Sequence, residues 1–206
     1  MHRSAACCGM VLAASLICGC ATGKASRMGG PPEVERKSSV VDYSSEGRLW
    51  FIGVNARVSR MSGPQELLPL QVVIVNKNAG PTTLTREGFV LETPDGKRLP
   101  VISYDQFEEE YRRDRADVAA GEDYLDRFTT RFHTPPFIWR ELEFFPPRNG
   151  AVVPREEIEM REGELVHGYL YFARPDESYL FPAGKYKLLF TPAGSDETLL
   201  VELFPF

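Results

Sequence analysis

The stretch LLPLQVVIVN, residues 67–76, is a run of β-branched and other large apolar residues. Similar runs lie on both sides of it, LWFIGVNARV at residues 49–58 and FVLETPDGKRLPVI at 89–102. The turn-forming segments SGP (62–64) and NAGP (78–81) separate the three runs. Because β-branched and aromatic residues favour strands while Gly, Pro and Asn favour turns, this pattern predicts consecutive β-strands.

The strand pattern returns near the C-terminus. It is found in FIWRELEFF, ELVHGYLYFARP, KYKLLFTP and TLLVELF, of which the last two are joined by residues 193–196. In the second segment Leu165, His167, Tyr169 and Tyr171 alternate with Val166, Gly168, Leu170 and Phe172, as in a half-buried strand. A further turn, Asp95-Gly96, predicts a hairpin within residues 89–102.

Between these groups, residues 103–133 change to a helical period. Asp105 followed by Glu108 can form a capping box, Phe107 begins the apolar face, and Gly121 divides the segment in two. We predict a two-helix insert that covers an edge of the sheet, with a binding lid as the alternative. The fold class predicted for residues 48–206 is all-β, an antiparallel β-sandwich carrying this short insert.

The segments VVIVNKNAGPTTLTREGFVLETPDGKRL and REGELVHGYLYF resemble the telokin-like, immunoglobulin-like sandwich found in many exported bacterial proteins and lipoproteins. The resemblance is carried by Asn76, Phe89, Leu91, Gly96, Lys97, Gly163, Glu164, Gly168, Leu170 and Phe172. It implies an immunoglobulin-like fold and an extracytoplasmic location, and it implies no activity.

The N-terminus has the layout of an export signal. Arg3 precedes the apolar run 10–17, which is too short to span a bilayer. Ile17, Cys18, Gly19 and Cys20 resemble the bacterial lipoprotein box, in which the last Cys receives a diacylglycerol and becomes the first mature residue. We therefore predict a signal peptide at residues 1–19 and lipidation of Cys20.

Residues 20–47 are rich in Gly, Ser, Pro and mixed charge, which predicts a flexible tether reaching about 25 to 30 Å. Ala21 follows the lipidated Cys in place of the Asp that favours inner-membrane retention in enteric-type lipoproteins. The predicted location is the cell envelope. In a host with two membranes it is the outer membrane, facing the periplasm, and otherwise it is the outer leaflet of the cell membrane.

Removal of the signal takes away one of the 24 basic residues, Arg3, and leaves 29 acidic ones, a formal charge of −6. This charge disfavours nucleic acid as a partner. Cys7, Cys8 and Cys18 lie in the predicted signal, so the mature domain is predicted to have no disulfide, thiolate metal site or cysteine nucleophile.

Candidate chemical residues are few. His133 and His167 are the histidines of the mature chain, and neither lies in a motif for nucleophilic catalysis or zinc binding. An acidic cluster could supply oxygen ligands for Ca²⁺, but the arginines within it favour a solvated, salt-bridged helix face. Its members are Asp105, Glu108, Glu109, Glu110, Asp114, Asp117, Glu122, Asp123 and Asp126. We predict no catalytic residue, no metal and no cofactor.

Aromatic residues form two groups, and most of them are predicted to lie in the core. They are Phe137, Trp139, Phe144 and Phe145, and then Tyr169, Tyr171, Phe172, Tyr179 and Phe181. Any that are exposed together would form a contact surface.

Two functions remain open. The first is a non-catalytic interaction or structural lipoprotein with an envelope protein as partner, and the second is an envelope hydrolase or ligand carrier built from scattered carboxylates. Carboxylates dispersed over the surface would favour the first, and a buried close pair would favour the second.

Overall fold

The computed structural model describes residues 42–62, 67–110, 138–146, 152–174 and 180–206. Within these ranges the chain forms a β-sandwich. Its strands are β1 (Asp42–Glu46), β2 (Trp50–Asn55), β3 (Leu67–Asn76), β4 (Thr82–Thr85), β5 (Phe89–Glu92), β6 (Arg98–Pro100), β7 (Ile138–Glu141), β8 (Glu157–Met160), β9 (Glu164–Ala173), β10 (Tyr186–Phe190) and β11 (Leu199–Leu203). Its helices are α1 (Arg57–Ser62), α2 (Tyr104–Glu110) and a 3-10 turn at Arg86–Gly88.

Two sheets enclose the core. The larger has the strand order β1-β2-β3-β9-β7, the smaller has the order β11-β10-β5-β6, and β4 and β8 form a separate ribbon. Trp50 of the larger sheet meets Phe190 of the smaller one edge to face, with ring centroids 5.8 Å apart. The central strand β3 is buried along its whole length, which explains why its sequence is apolar except for Gln71 and Asn76.

The prediction of an all-β sandwich is confirmed, and its antiparallel character needs one correction. β7 pairs with β9 in parallel, whereas the other strand pairs of the described residues are antiparallel. Parallel neighbours need a long crossover connection. The chain supplies it between Glu141 and Glu164, where β8 leaves to pair with β4.

The predicted boundary between tether and domain, at residues 47 and 48, is too late. β1 comprises residues 42–46 and pairs along its length with β2. Its sequence DYSSE has little apolar character because it is an edge strand held mainly by main-chain hydrogen bonds. The sandwich therefore begins no later than Asp42.

A second correction concerns the strand predicted at residues 49–58. β2 ends at Asn55, and α1 begins at Arg57. The Asn55 side chain accepts a hydrogen bond from the Arg57 main-chain N–H at 2.9 Å and donates one to Gln71 Oε1 at 3.0 Å. Asn55 thus ends the strand and starts the helix, because its side chain competes with the ladder for main-chain donors.

The helical insert is confirmed only at its start. α2 covers Tyr104–Glu110, and Phe107 packs from it into the core. The first turn is capped by Ser103 Oγ, which accepts from the Gln106 N–H at 3.2 Å, instead of by the predicted Asp105 and Glu108. Residues 111–133 lie outside the described ranges.

The predicted hairpins are confirmed. Gly96 has a φ of +83° between β5 and β6, a conformation that Gly adopts without steric cost. β10 and β11 pair across the turn at residues 193–196.

Glu197, which precedes β11, holds the β1–β2 turn. Its carboxylate accepts hydrogen bonds from the main-chain N–H groups of Arg48 at 2.7 Å, Leu49 at 3.0 Å and Trp50 at 3.2 Å. Three consecutive donors on one carboxylate join the edge of the larger sheet to the smaller sheet.

We expect Glu197→Ala to lower the free energy of unfolding by about 2 kcal/mol, since hydrogen bonds to a charged group contribute roughly 1.5 to 3 kcal/mol. Glu197→Gln should lose less, because its amide oxygen still accepts. Urea denaturation measures both. The control Glu162→Ala, at an exposed position, should stay within about 0.5 kcal/mol of the parent. An equal loss in the control would contradict the role of Glu197.

Candidate functional site

The predicted site residues fall into two sets. Cys20, His133, Phe137, Tyr179 and five members of the acidic cluster (Asp114, Asp117, Glu122, Asp123 and Asp126) lie outside the described residues. Lipidation of Cys20 stays a prediction. His167, the four remaining acidic residues and seven of the aromatic residues are described.

Most of the described aromatic residues are core residues, as predicted. Phe144, Phe145, Tyr171 and Phe172 are buried. Tyr171 packs against Phe107 of α2 with ring centroids 4.6 Å apart and against Phe145 at 5.1 Å. The start of the insert is therefore fixed to the sandwich through aromatic packing.

Tyr169 and Phe181 are partly buried against the core, whereas Trp139 lies on the edge strand β7 and remains 37% exposed. Ile138 beside it is 63% exposed. The parallel register places Glu141 opposite His167, whose ring centroid is 6.0 Å from that of Trp139. We call Ile138, Trp139, Glu141 and His167 the β7 edge patch.

Main-chain groups of β7 alternate in direction. The Ile138 N–H donates to Gly163 O at 3.2 Å, and the Leu142 N–H donates to His167 O at 2.7 Å. The N–H groups of Trp139 and Glu141 therefore point away from β9. Within the described ranges, no strand pairs with that side of β7. The patch thus combines exposed apolar side chains with an open sheet edge, which is the geometry used for strand addition.

The imidazole of His167 is half-buried in this patch. Burial lowers its pKa below the ordinary value of 6.5, and the negative charge of Glu141 acts in the opposite direction. The neutral ring is therefore favoured near pH 7, which suits packing against Trp139.

We expect the stability of the protein to fall on acidification more steeply than that of His167→Gln. Below about pH 6.5 an unfolded histidine takes up a proton, whereas folded His167 resists it, so the unfolded state gains stability until the lowered folded pKa is reached. Glu141→Gln should extend this loss to lower pH, because it removes the charge that raises the pKa. Urea midpoints between pH 8 and 5 measure the slopes, and identical slopes for the parent and His167→Gln would contradict the assignment.

The acidic residues of α2 do not form a described metal site. Asp105, Glu108 and Glu109 are exposed on a short helix, and Glu110 accepts a hydrogen bond from Gln106 at 3.0 Å. Among the described residues, no group of three or more His, Cys, Asp or Glu side chains is placed to hold a metal ion.

Carboxylates elsewhere are paired with cations. Glu46 binds Lys77 at 2.8 Å, Glu92 binds Lys187 at 2.6 Å, Glu143 binds Arg155 at 2.6 Å, Glu164 binds Arg140 at 3.3 Å and Glu202 binds Lys185 at 2.9 Å. The hydrogen bond that Lys187 donates to Glu92 lowers the pKa of Glu92 and raises the pKa of Lys187. Glu164 is the buried carboxylate of the described part of the chain.

Arg86, in the 3-10 turn, is a buried cation that the sequence did not single out. Its Nη2 pairs with Glu156, and its guanidinium lies 5.9 Å from the ring centroid of Phe144. Burial lowers its pKa, while Glu87 and Asp105 act against that shift. Its Nη1 is buried from solvent without a hydrogen-bond partner. Because Nη1 does not reach solvent, we infer a structural role for Arg86, which joins the 3-10 turn to the segment before β8 that carries Glu156.

No protein-family model matches the chain, and no curated protein is similar to it. Its structure is similar to the crystal structure of the yjhA protein from Bacillus subtilis at 14% sequence identity. That similarity covers 83% of this chain and 86% of yjhA, with a TM-score of 0.33. A TM-score at this level assigns neither fold nor function. No described helix is long and apolar enough to cross a membrane.

Proposed function

We propose that the chain is a lipoprotein of the cell envelope that acts as a non-catalytic interaction or structural module. In this proposal Cys20 carries the lipid, the segment after it is the spacer, and an immunoglobulin-like sandwich makes the contact. The membrane location rests on the sequence around Cys20, with the outer membrane favoured in a host with two membranes because Ala21 follows the Cys.

The observation that carries the interaction role is the β7 edge patch. Exposed large apolar residues beside open main-chain donors are what an extended segment of another protein needs for binding. Ile138 and Trp139 point to opposite faces of the sheet, as alternation along a strand requires. An added strand would bury both side chains at once.

The arrangement of the carboxylates supports the same reading over the hydrolase or carrier. Six of them each have a Lys or Arg partner within 3.3 Å, and Glu197 is occupied by main-chain donors. A general acid and base need two carboxyl groups whose pKa values are set apart by their surroundings. Two of these ion pairs instead link neighbouring strands, Lys187–Glu92 between β10 and β5 and Arg140–Glu164 between β7 and β9.

The test places a photoreactive amino acid at Ile138 of the full chain in host membranes. We expect a covalent adduct with one envelope protein, and we expect Trp139→Ser to reduce its yield about tenfold, as loss of a central aromatic contact does. The control position is Val153, which is 77% exposed and lies outside β7. Equal adducts at both positions, or none at Ile138, would contradict an interaction role for the patch.

A further inference from the structure

The outward face of the smaller sheet carries two rows of side chains that cross all four strands. Residues paired across antiparallel strands lie opposite each other on one face, so the register defines the rows. The first row is charged and reads Glu202, Lys187, Glu92 and Arg98. The second row is apolar and reads Leu200, Leu189, Val90 and Pro100.

Both rows are accessible. The residues that alternate with them, such as Leu91, Leu188 and Val201, are buried in the core, so the rows point to the other side of the sheet. Leu200 is 44% exposed, and Arg98 and Pro100 are exposed on the edge strand β6. Leu189 and Val90 between them are half-buried, so the apolar row is partly exposed across the sheet and is a candidate contact surface.

The charged row alternates in sign from one strand to the next: negative, positive, negative, positive. When the row is read in the opposite direction, from β6 to β11, the charge at each of the four positions has the opposite sign. A second copy related by a two-fold axis between β10 and β5 would therefore set Glu202 against Arg98 and Lys187 against Glu92 at all four positions. The same axis sets Leu200 against Pro100 and Leu189 against Val90 in the apolar row.

We propose that this face associates with a second copy of the chain as a symmetric dimer. The axis runs along the strands, so the two sheets stack with their strands aligned, as in sandwich packing. Each contact then occurs twice, which is the rule for a two-fold interface. The proposal concerns the described sheet alone, and it holds whether or not Cys20 carries lipid.

The area of the sheet face determines how tightly we expect the dimer to associate. Four strands span about 14 Å between the outer strand axes, and five residues extend about 17 Å. Such a face is smaller than the roughly 800 Å² per partner of a stable complex. We therefore expect a weak dimer, with a Kd on the order of 0.1 mM. A rotation of about 30° between stacked sheets displaces the end pairs by a few ångströms, which the long side chains of Arg98 and Glu202 can span.

The test uses Arg98→Glu and Glu202→Arg in the full chain, studied by sedimentation equilibrium in density-matched detergent. Each variant alone places like charges at both ends of the interface and should raise Kd about tenfold. An equimolar mixture of the two variants restores opposite charges at both ends of the mixed dimer. Its Kd should return to within about twofold of the parent value.

The control for net charge is a mixture of Arg98→Glu with Glu162→Arg, whose second substitution lies in the turn before β9. The mixed dimer in that control has the same net charges but retains one repulsive end, so it should stay weaker, while the Glu162→Arg chain should self-associate like the parent. A parent chain that is monomeric up to about 1 mM, ten times the expected Kd, would overturn the proposal. The proposal would also be overturned if the mixed dimer of Arg98→Glu with Glu202→Arg had a Kd no lower than that of the control mixed dimer.

Discussion

Replacing Cys20 with Ser is expected to remove the lipid mass from the protein and to leave its signal peptide uncleaved. In the proposed lipoprotein, the thiol of Cys20 accepts the lipid, and Ile17, Cys18 and Gly19 form the rest of the predicted lipoprotein box. Two or three acyl chains at about 0.8 kcal/mol per buried CH₂ anchor a protein stably, whereas one chain binds reversibly. After the predicted cleavage the charge of −6 adds no attraction to an anionic surface, so in this proposal the lipid supplies the anchor.

Cell fractionation and intact-mass measurement read the result, and Cys18→Ser is the matched control. Cys18 lies in the predicted signal peptide, so its variant should keep both the lipid mass and the membrane location. The rival is ordinary signal cleavage after Ala21, which gives a protein without lipid. Normal cleavage and release of Cys20→Ser would establish that rival.

Strands whose side chains enter the core could be predicted from the sequence. β3 and the hairpins β5–β6 and β10–β11 carry apolar residues in the order that burial demands. β9 was correctly predicted as a strand, but residues of both its faces, such as Leu165 and Val166, are buried, so it is not the half-buried strand that the alternation predicted. β1 was missed because an edge strand needs few apolar residues, and DYSSE reads as a linker. α1 was missed because the break before it is made by one side chain, that of Asn55.

The candidate surfaces depend on register, which a single sequence does not reveal. Trp139 and His167 are far apart in the chain and come together because β7 pairs with β9 in parallel. The charged row joins residues of β5, β6, β10 and β11, and its alternation of sign is visible only after the pairings are known. Salt bridges were predicted from the sequence only for the acidic cluster, and the ion pairs of the sheets, such as Glu92 with Lys187, were not predicted.

Gly168 is a small residue in the middle of β9, and its size is explained by the close approach of Leu142. A Cβ atom at this position would lie 2.7 Å from Leu142 Cβ and 3.0 Å from Leu142 O. Leu142 cannot move away easily, because its N–H donates to His167 O at 2.7 Å and its side chain is buried. The chain that leaves β7 therefore passes directly over Gly168.

We expect Gly168→Ala to lower the free energy of unfolding by about 3 kcal/mol, the upper range for overpacking in a core. The corresponding fall in Tm is roughly 6 to 12 °C for a domain of this size. If Leu142 did not contact position 168, Gly168→Ala should instead raise the free energy of unfolding by about 0.5 to 1 kcal/mol, because Ala in a strand loses less conformational entropy than Gly on folding.

The control is Gly163→Ala, where φ is +74° and no heavy atom lies within 4 Å of the added Cβ. Only backbone strain acts there, so the loss should be about 1 kcal/mol. A loss at Gly168 no larger than that at Gly163 would show that the segment after β7 can yield, and that Leu142 is not held against β9.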